Sequence, residues 1–225
     1  MKEPEVLYSD NHLLIISKPA NYLSQPDPQG NRENAEDWAK LWVKKDSGKS
    51  GNVFLHLAHR LDRPVSGILL CAKTSKALSR LHAQQRSKKI KKTYYALVSG
   101  SPKQESGILE NDWVKKEFHA EISPRGTSKN PQAKACSLAY EVVRKNQKNT
   151  LLRVHLVTGR YHQIRAQLAA ISCPIVGDQK YGSKVQFQRQ EIALHHGELS
   201  LVHPTTNEMI TIKAELPYSF ELLSS

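Results

Sequence analysis

No apolar run in this chain is long enough to cross a bilayer: LLII at 13–16 and GILLCA at 67–72 fall far short of the about 20 residues a spanning helix needs. The first residues, MKEPEVLYSDNH, contain early acids and no apolar stretch of signal-peptide length, so export is not expected. Cysteine is scarce. Cys71, Cys136 and Cys173 are widely spaced among apolar or small residues, which excludes a disulfide framework and implies reduced core thiols in the cytoplasm. Motifs of several catalytic classes are also missing. SGKSG at 47–51 lacks the glycine that a phosphate-binding loop requires at position 43, where Val43 stands. There is no G-x-S-x-G nucleophile elbow. His155, His195, His196 and His203 lack the partner cysteines or H-E-x-x-H spacing of a zinc site, so no metal is expected.

Acid is the other shortage. With 33 Lys and Arg against 21 Asp and Glu, the 225-residue chain has a formal charge of +12. A polyanion is the natural partner, and nucleic acid leads membrane because no basic amphipathic anchor or lipidation motif accompanies the charge.

Hydrophobic periodicity predicts mixed strands with a few helices, mostly antiparallel, which is the α+β class. HLLIISKP reads as a strand stopped by Pro19 and ANYLSQPDPQGN as a loop. Ala35, Trp38, Ala39, Trp42 and Val43 recur at helical spacing and should turn both tryptophans into the core. DSGKSGN is a flexible linker, GILLCAK a buried strand, and TSKALSRLHAQQRS a helix capped by Thr74 or Ser75. KKTYYALVSG is strand, residues 101–135 hold hairpins and loops, and CSLAYEVVRK pairs with NTLLRVHLVTG around NQKN. HQIRAQLAAIS is a helix with Ile164, Leu168 and Ile171 inward, and IALHHGELSLVHP and MITIKAELP are the last strands. Gly67, Gly159, Gly177 and Gly182 are placed at turns that Pro64 and Pro174 stiffen.

Two segments stand out. HRLDRPVSG at 59–67 sets one carboxylate, Asp62, between two arginines with apolar sequence on either side. TGRYHQIRAQLAAISCPIVGDQKYG at 158–182 places Arg165 on a helix. Together with KKTYYALVSG and LYSDNHLLIISKPAN, from Val6 to Pro217, they resemble the RluA-type pseudouridine synthase family in order, spacing and content.

The resemblance implies a single catalytic domain over 1–225 without an S4 domain, its mixed, mostly antiparallel sheet flanked by helices and bearing a central RNA-binding cleft. It implies an isomerase, an intramolecular transferase that converts uridine in ribosomal or transfer RNA to pseudouridine. The glycosidic C1′–N1 bond breaks and a C1′–C5 bond replaces it. The product is an isomer, so no cofactor is implied. By motif position Asp62 is the nucleophile, Arg165 the cation that keeps it ionised, with a fold-stabilising salt bridge as the alternative, and Tyr94 a ring that stacks on uracil, with an ordinary core aromatic as the alternative. Arg60 matches the residue that helps hold a flipped-out nucleotide, or else contacts phosphate. His59, Arg63, Arg160 and His162 join it as substrate-binding residues. In RSKKIKK at 86–92, Lys88, Lys89, Lys91 and Lys92 either contact the RNA backbone or form a solvated helix end. Asp178 braces a loop rather than taking part in chemistry.

Val65 stands where the family usually has threonine, and Asn21 where glycine is common, which questions the geometry of those two loops. The route, by attack on C1′, attack on C6 or a glycal, stays open, as does the choice of RNA. The resemblance favours a monomer that does not engage membranes. A non-catalytic RNA-binding or ribosome-assembly factor is the rival function. A nuclease or glycosylase is disfavoured, because no second paired carboxylate or metal cluster accompanies Asp62.

Overall fold

The computed structural model describes residues 2–30, 32–48, 50–188 and 190–220; Asn31 and Lys49, which belong to the expected loop and linker, lie outside them. The chain forms two compact units, Met1–Lys91 with His196–Glu215, and Lys92–His195 with Leu216–Ser225.

In the first unit the strand order is β1 (Glu5–Ser9), β2 (Leu13–Lys18), β4 (Ser66–Ala72) and β10 (Leu194–Val202), β10 entering the unit at His196. β3 (His56–Leu57) pairs with β4, and β11 (Met209–Lys213) with β10. Residues 13–16 and 68–72 are all fully buried, so β2 and β4 hide both faces, which is why they read as unbroken apolar runs. Side chains alternate with period two. Leu13 and Ile15 therefore share a face with Ile68, Leu70 and Ala72, and pack with Ala77 and Leu81 of α2 (Ser75–Arg86). Each such leucine or isoleucine contributes about 1.5–3 kcal/mol of burial energy. Thr74 caps α2, its hydroxyl accepting from the Ala77 N–H at 3.2 Å.

Asn34 caps α1 (Ala35–Asp46) in the same way, its Oδ1 accepting from the Asp37 N–H at 2.9 Å. Here the expected core face is narrower than its periodicity suggests. Ala35, Ala39 and Val43 are buried, but Trp38 and Trp42 are only half-buried, and the Trp38 indole N–H reaches Glu3 at 3.4 Å. Small residues approach the core closely along α1, leaving the bulky rings at its margin.

The second unit is antiparallel throughout, in the order β5 (Lys91–Ser99), β9 (Asn149–Leu156), β8 (Lys134–Lys145), β6 (Ser106–Lys115) and β7 (Ala120–Pro124). The polar stretch 101–135 thus holds the β6–β7 hairpin. α3 (Gln163–Ala170) lays Ala166 against Trp113, Ala120 and Cys136. Ile164 and Leu168 are buried as expected, but the helix stops at Ala170, and Ile171 is a half-buried C-cap.

The polar side of α3 is buried as well. Gln163 Nε2 donates to the Ser137 carbonyl at 3.1 Å and to Gln167 Oε1 at 2.9 Å, and Gln167 Nε2 donates to the Leu109 carbonyl at 3.0 Å. These amides tie the helix to β8 and β6, so their burial is compensated by hydrogen bonds. Cys71, Cys136 and Cys173 are buried free thiols.

Candidate active site

In the first unit the segment 59–65 leads into β4. Asp62 is half-buried at a tight turn, closed where the Val65 N–H donates to the Asp62 carbonyl at 3.0 Å. Val65 itself is buried, so this turn forms without the threonine hydroxyl usual in the resemblance. Gly67 lies inside β4 rather than at a turn, with φ +111°; a Cβ there would come within 2.3 Å of the His196 carbonyl oxygen. Only glycine lets the two backbones approach so closely.

The loop after β2 braces this segment. Lys18 is fully buried, and its ammonium donates to the carbonyls of Pro19 at 2.9 Å, Tyr22 at 2.8 Å and Arg63 at 3.4 Å. Three carbonyls suit the three donors of a lysine removed from water. Asn21 adopts φ +66°, the left-handed conformation that glycine takes most easily and asparagine next. Its N–H donates to the Arg63 carbonyl at 2.8 Å. The departure from glycine at this position therefore preserves the loop.

Around Asp62, Arg60 and Arg63 are exposed. His59 is half-buried; its Nε2 accepts from the Leu70 N–H at 3.3 Å and its ring meets His196 edge-on at 5.4 Å, so one of its nitrogens serves β4. Lys88 and Lys89 follow α2 as exposed residues, Lys88 with φ +56°, and Lys91 opens β5, also exposed. Ile90 between them is buried and pins the run to the first unit's core.

The second unit holds the other site residues. Arg165 is buried on α3 and makes a bidentate pair with Asp178, Nε to Oδ2 at 2.7 Å and Nη2 to Oδ1 at 2.8 Å. Asp178 is 1% exposed, so it braces a helix guanidinium. The Tyr181 ring lies 5.1 Å from the same guanidinium. Tyr181 accepts from the Ala120 N–H at 2.8 Å, and its hydroxyl lies 3.0 Å from His162 Nδ1. Burial pushes the Tyr181 hydroxyl up to about 12. His162 is buried at φ +52°, where it starts α3, and stacks on Tyr161 at 3.8 Å. Burial, with help from the Arg165 and Lys180 charges, pushes His162 down to about 3, so it is a neutral imidazole. Arg160 is exposed beside it, its Nε donating to the Ala135 carbonyl at 3.5 Å.

Tyr94 is buried on β5, while Tyr95 projects from the opposite face, its hydroxyl accepting from Arg153 Nε at 3.4 Å. Lys92 is half-buried, and burial lowers its ammonium to about 8. Lys88, Lys89 and Lys91 lie at exposed positions of the same run.

Sequence reasoning missed the buried lysine and both glutamines. Lys18 had a signal: it continues the period-two series Leu14, Ile16 into the core. The pairing of Arg165 with Asp178 had none, because a 13-residue separation that ends in a loop has no characteristic spacing.

Comparison with known proteins defines the class. A sequence model described as RNA pseudouridylate synthase matches residues 12–170, and the chain belongs to that family of RNA-modifying isomerases. Within it the chain is an RluA-type pseudouridine synthase. It is 34% identical over 228 residues to ribosomal large subunit pseudouridine synthase C of Buchnera aphidicola subsp. Baizongia pistaciae (strain Bp), covering 96% of this chain and 68% of that one. It is 33% identical over 217 residues to the dual-specificity RNA pseudouridine synthase RluA of Haemophilus influenzae (strain ATCC 51907 / DSM 11121 / KW20 / Rd), covering 94% and 92%. The solved human RNA pseudouridylate synthase domain containing 4 shares the fold, with a TM-score of 0.82 at 23% identity over 96% of this chain and 90% of that one.

Proposed function

We propose that this isomerase converts a uridine of ribosomal RNA to pseudouridine with Asp62 as nucleophile. The observation that carries the assignment to Asp62 is the turn at 62–65, where a half-buried carboxylate sits in a segment whose Arg63 carbonyl is held by Lys18 and Asn21. A nucleophile needs such fixed placement, since misalignment of reacting atoms by about 1 Å costs about 100-fold in rate. Ribosomal RNA is favoured by the names of several relatives, among them the Buchnera enzyme.

In this reading Arg165 supplies the positive charge that keeps the acid ionised, and Tyr94 supplies the ring against uracil. Asp178 orients Arg165, which gives it a part in the chemistry at one remove. Arg60, Arg63, Arg160, Lys88, Lys89 and Lys91 contact phosphates, and affinity falls steeply with salt. His59 contributes shape, and His162 shape and neutral hydrogen bonding. The protein acts as a monomer in the cytoplasm.

The test is tritium release from ribosomal RNA labelled at uracil C5, the hydrogen lost to water when C5 becomes the glycosidic carbon. RNA from cells lacking the protein should release tritium with the wild-type enzyme and lose at least about 1,000-fold in rate with Asp62→Asn. RNA affinity should stay within about tenfold, because phosphate contacts are spread over many cations. Undiminished release by Asp62→Asn removes the nucleophile assignment. Release confined to transfer RNA removes ribosomal RNA as substrate.

A further inference from the structure

The residue before Asp62 is held by a side chain that no motif singles out. Ser24 is 5% exposed, and its hydroxyl contacts Leu61 twice, accepting from the Leu61 N–H at 3.0 Å and donating to the Leu61 carbonyl at 2.8 Å. One oxygen thus clamps both polar groups of Leu61, whose side chain is itself buried. A hydroxyl has one donor and two acceptor sites, so it suits this double role, and methyl, thiol or amide groups do not reproduce it.

The clamp is itself anchored. The Ala35 N–H donates to the Leu23 carbonyl at 2.8 Å and the Glu36 N–H to the Ser24 carbonyl at 3.2 Å. Those two N–H groups belong to the first turn of α1, where donors have no partner within the helix. The start of α1 therefore fixes residues 23 and 24, and Ser24 transmits that position to Leu61. On the far side of Asp62, the Arg63 carbonyl is held by Asn21 at 2.8 Å.

We propose that Ser24 is a positioning residue for the reaction, setting the main-chain direction from which the Asp62 carboxylate projects. This rests on Asp62 being the nucleophile. Ser24 touches no reacting atom; it acts through Leu61. Without its hydroxyl, the Leu61 N–H and carbonyl lose their common partner and the main chain that carries Asp62 gains freedom. Binding of RNA through dispersed cations is not altered by that freedom, so the loss falls on turnover.

Steady-state tritium release from C5-labelled ribosomal RNA tests this with Ser24→Ala, Ser24→Cys, Ser24→Thr and Asp62→Asn, each assayed at a temperature where circular dichroism shows the variant folded. Ser24→Ala is expected to lower kcat by about 10- to 100-fold with KM changed less than about threefold. Ser24→Cys, which keeps the volume and weakens both hydrogen bonds, should lose a similar factor and serves as the measure if the alanine variant does not fold. Ser24→Thr keeps the hydroxyl and should retain kcat within about fivefold of wild type. Wild-type kcat in the cysteine or alanine variant overturns the assignment, as does a threonine variant as slow as alanine. If Asp62→Asn is inactive while Ser24→Ala runs at full rate, Ser24 alone is wrongly assigned. If Asp62→Asn turns over normally, the nucleophile reading fails first.

Discussion

Asp62 in the first unit is placed through main-chain contacts to its neighbours, whereas Arg165 in the second is placed through its own side chain. The peptides on either side of Asp62 are gripped by Ser24, Asn21 and Lys18. Arg165 is gripped at the guanidinium by Asp178, with both groups buried. The difference follows from what each residue type offers. A short carboxylate follows its Cα, so fixing the backbone fixes the acid. A long guanidinium has several rotatable bonds and must be held at its end. The chain therefore stabilises a loop around Asp62 in one unit and an ion pair around Arg165 in the other.

The comparison is sharpest under substitution. Asp178→Ala leaves the buried guanidinium without its bidentate partner and should cost about 3–5 kcal/mol in urea denaturation, with loss of activity. A cost under about 1 kcal/mol would mean that Arg165 does not depend on its side-chain contact. Gly67→Ala strikes the strand that follows the Asp62 turn. Its methyl would meet the His196 carbonyl at 2.3 Å with φ in the left-handed region, so a destabilisation of about 2–4 kcal/mol is expected in thermal unfolding.

Lys92 gives a smaller effect with a definite sign. Its ammonium titrates at about 8 in the folded protein against 10.5 for an unperturbed lysine, because burial penalises the charge. Between those values the unfolded chain binds more protons, so stability rises with pH across that window and is lowest below it. Lys92→Met should raise stability at pH 7 by on the order of 1 kcal/mol, allowing for solvent at this half-buried position, and the gain should vanish above about pH 10.5. A gain that persists at high pH would trace to packing. If Asp62 is the nucleophile, Asp62→Asn should abolish turnover in the tritium-release assay while leaving RNA affinity within about tenfold.

The parts legible in the sequence are those set by neighbours along the chain. Apolar runs at 13–16 and 68–72 announced β2 and β4, Thr74 announced the start of α2, and the order of motifs around Asp62, Tyr94 and Arg165 announced the family. Periodicity and capping are local, so they survive without coordinates. The half-buried tryptophans of α1 and the early end of α3 show where locality stops, because the same periodicity fits a helix packed by its small residues as well as one packed by its large ones.

Only the tertiary structure decided which polar groups went inside and what they met there. Lys18 reaches the Arg63 carbonyl 45 residues away, Ser24 reaches Leu61 across 37, and Gln167 reaches Leu109 across 58. None of these pairs has a spacing that helix or strand geometry imposes. A buried donor must find an acceptor wherever the returning chain supplies one, and that return is determined by the packing of the whole unit rather than by the residues beside it.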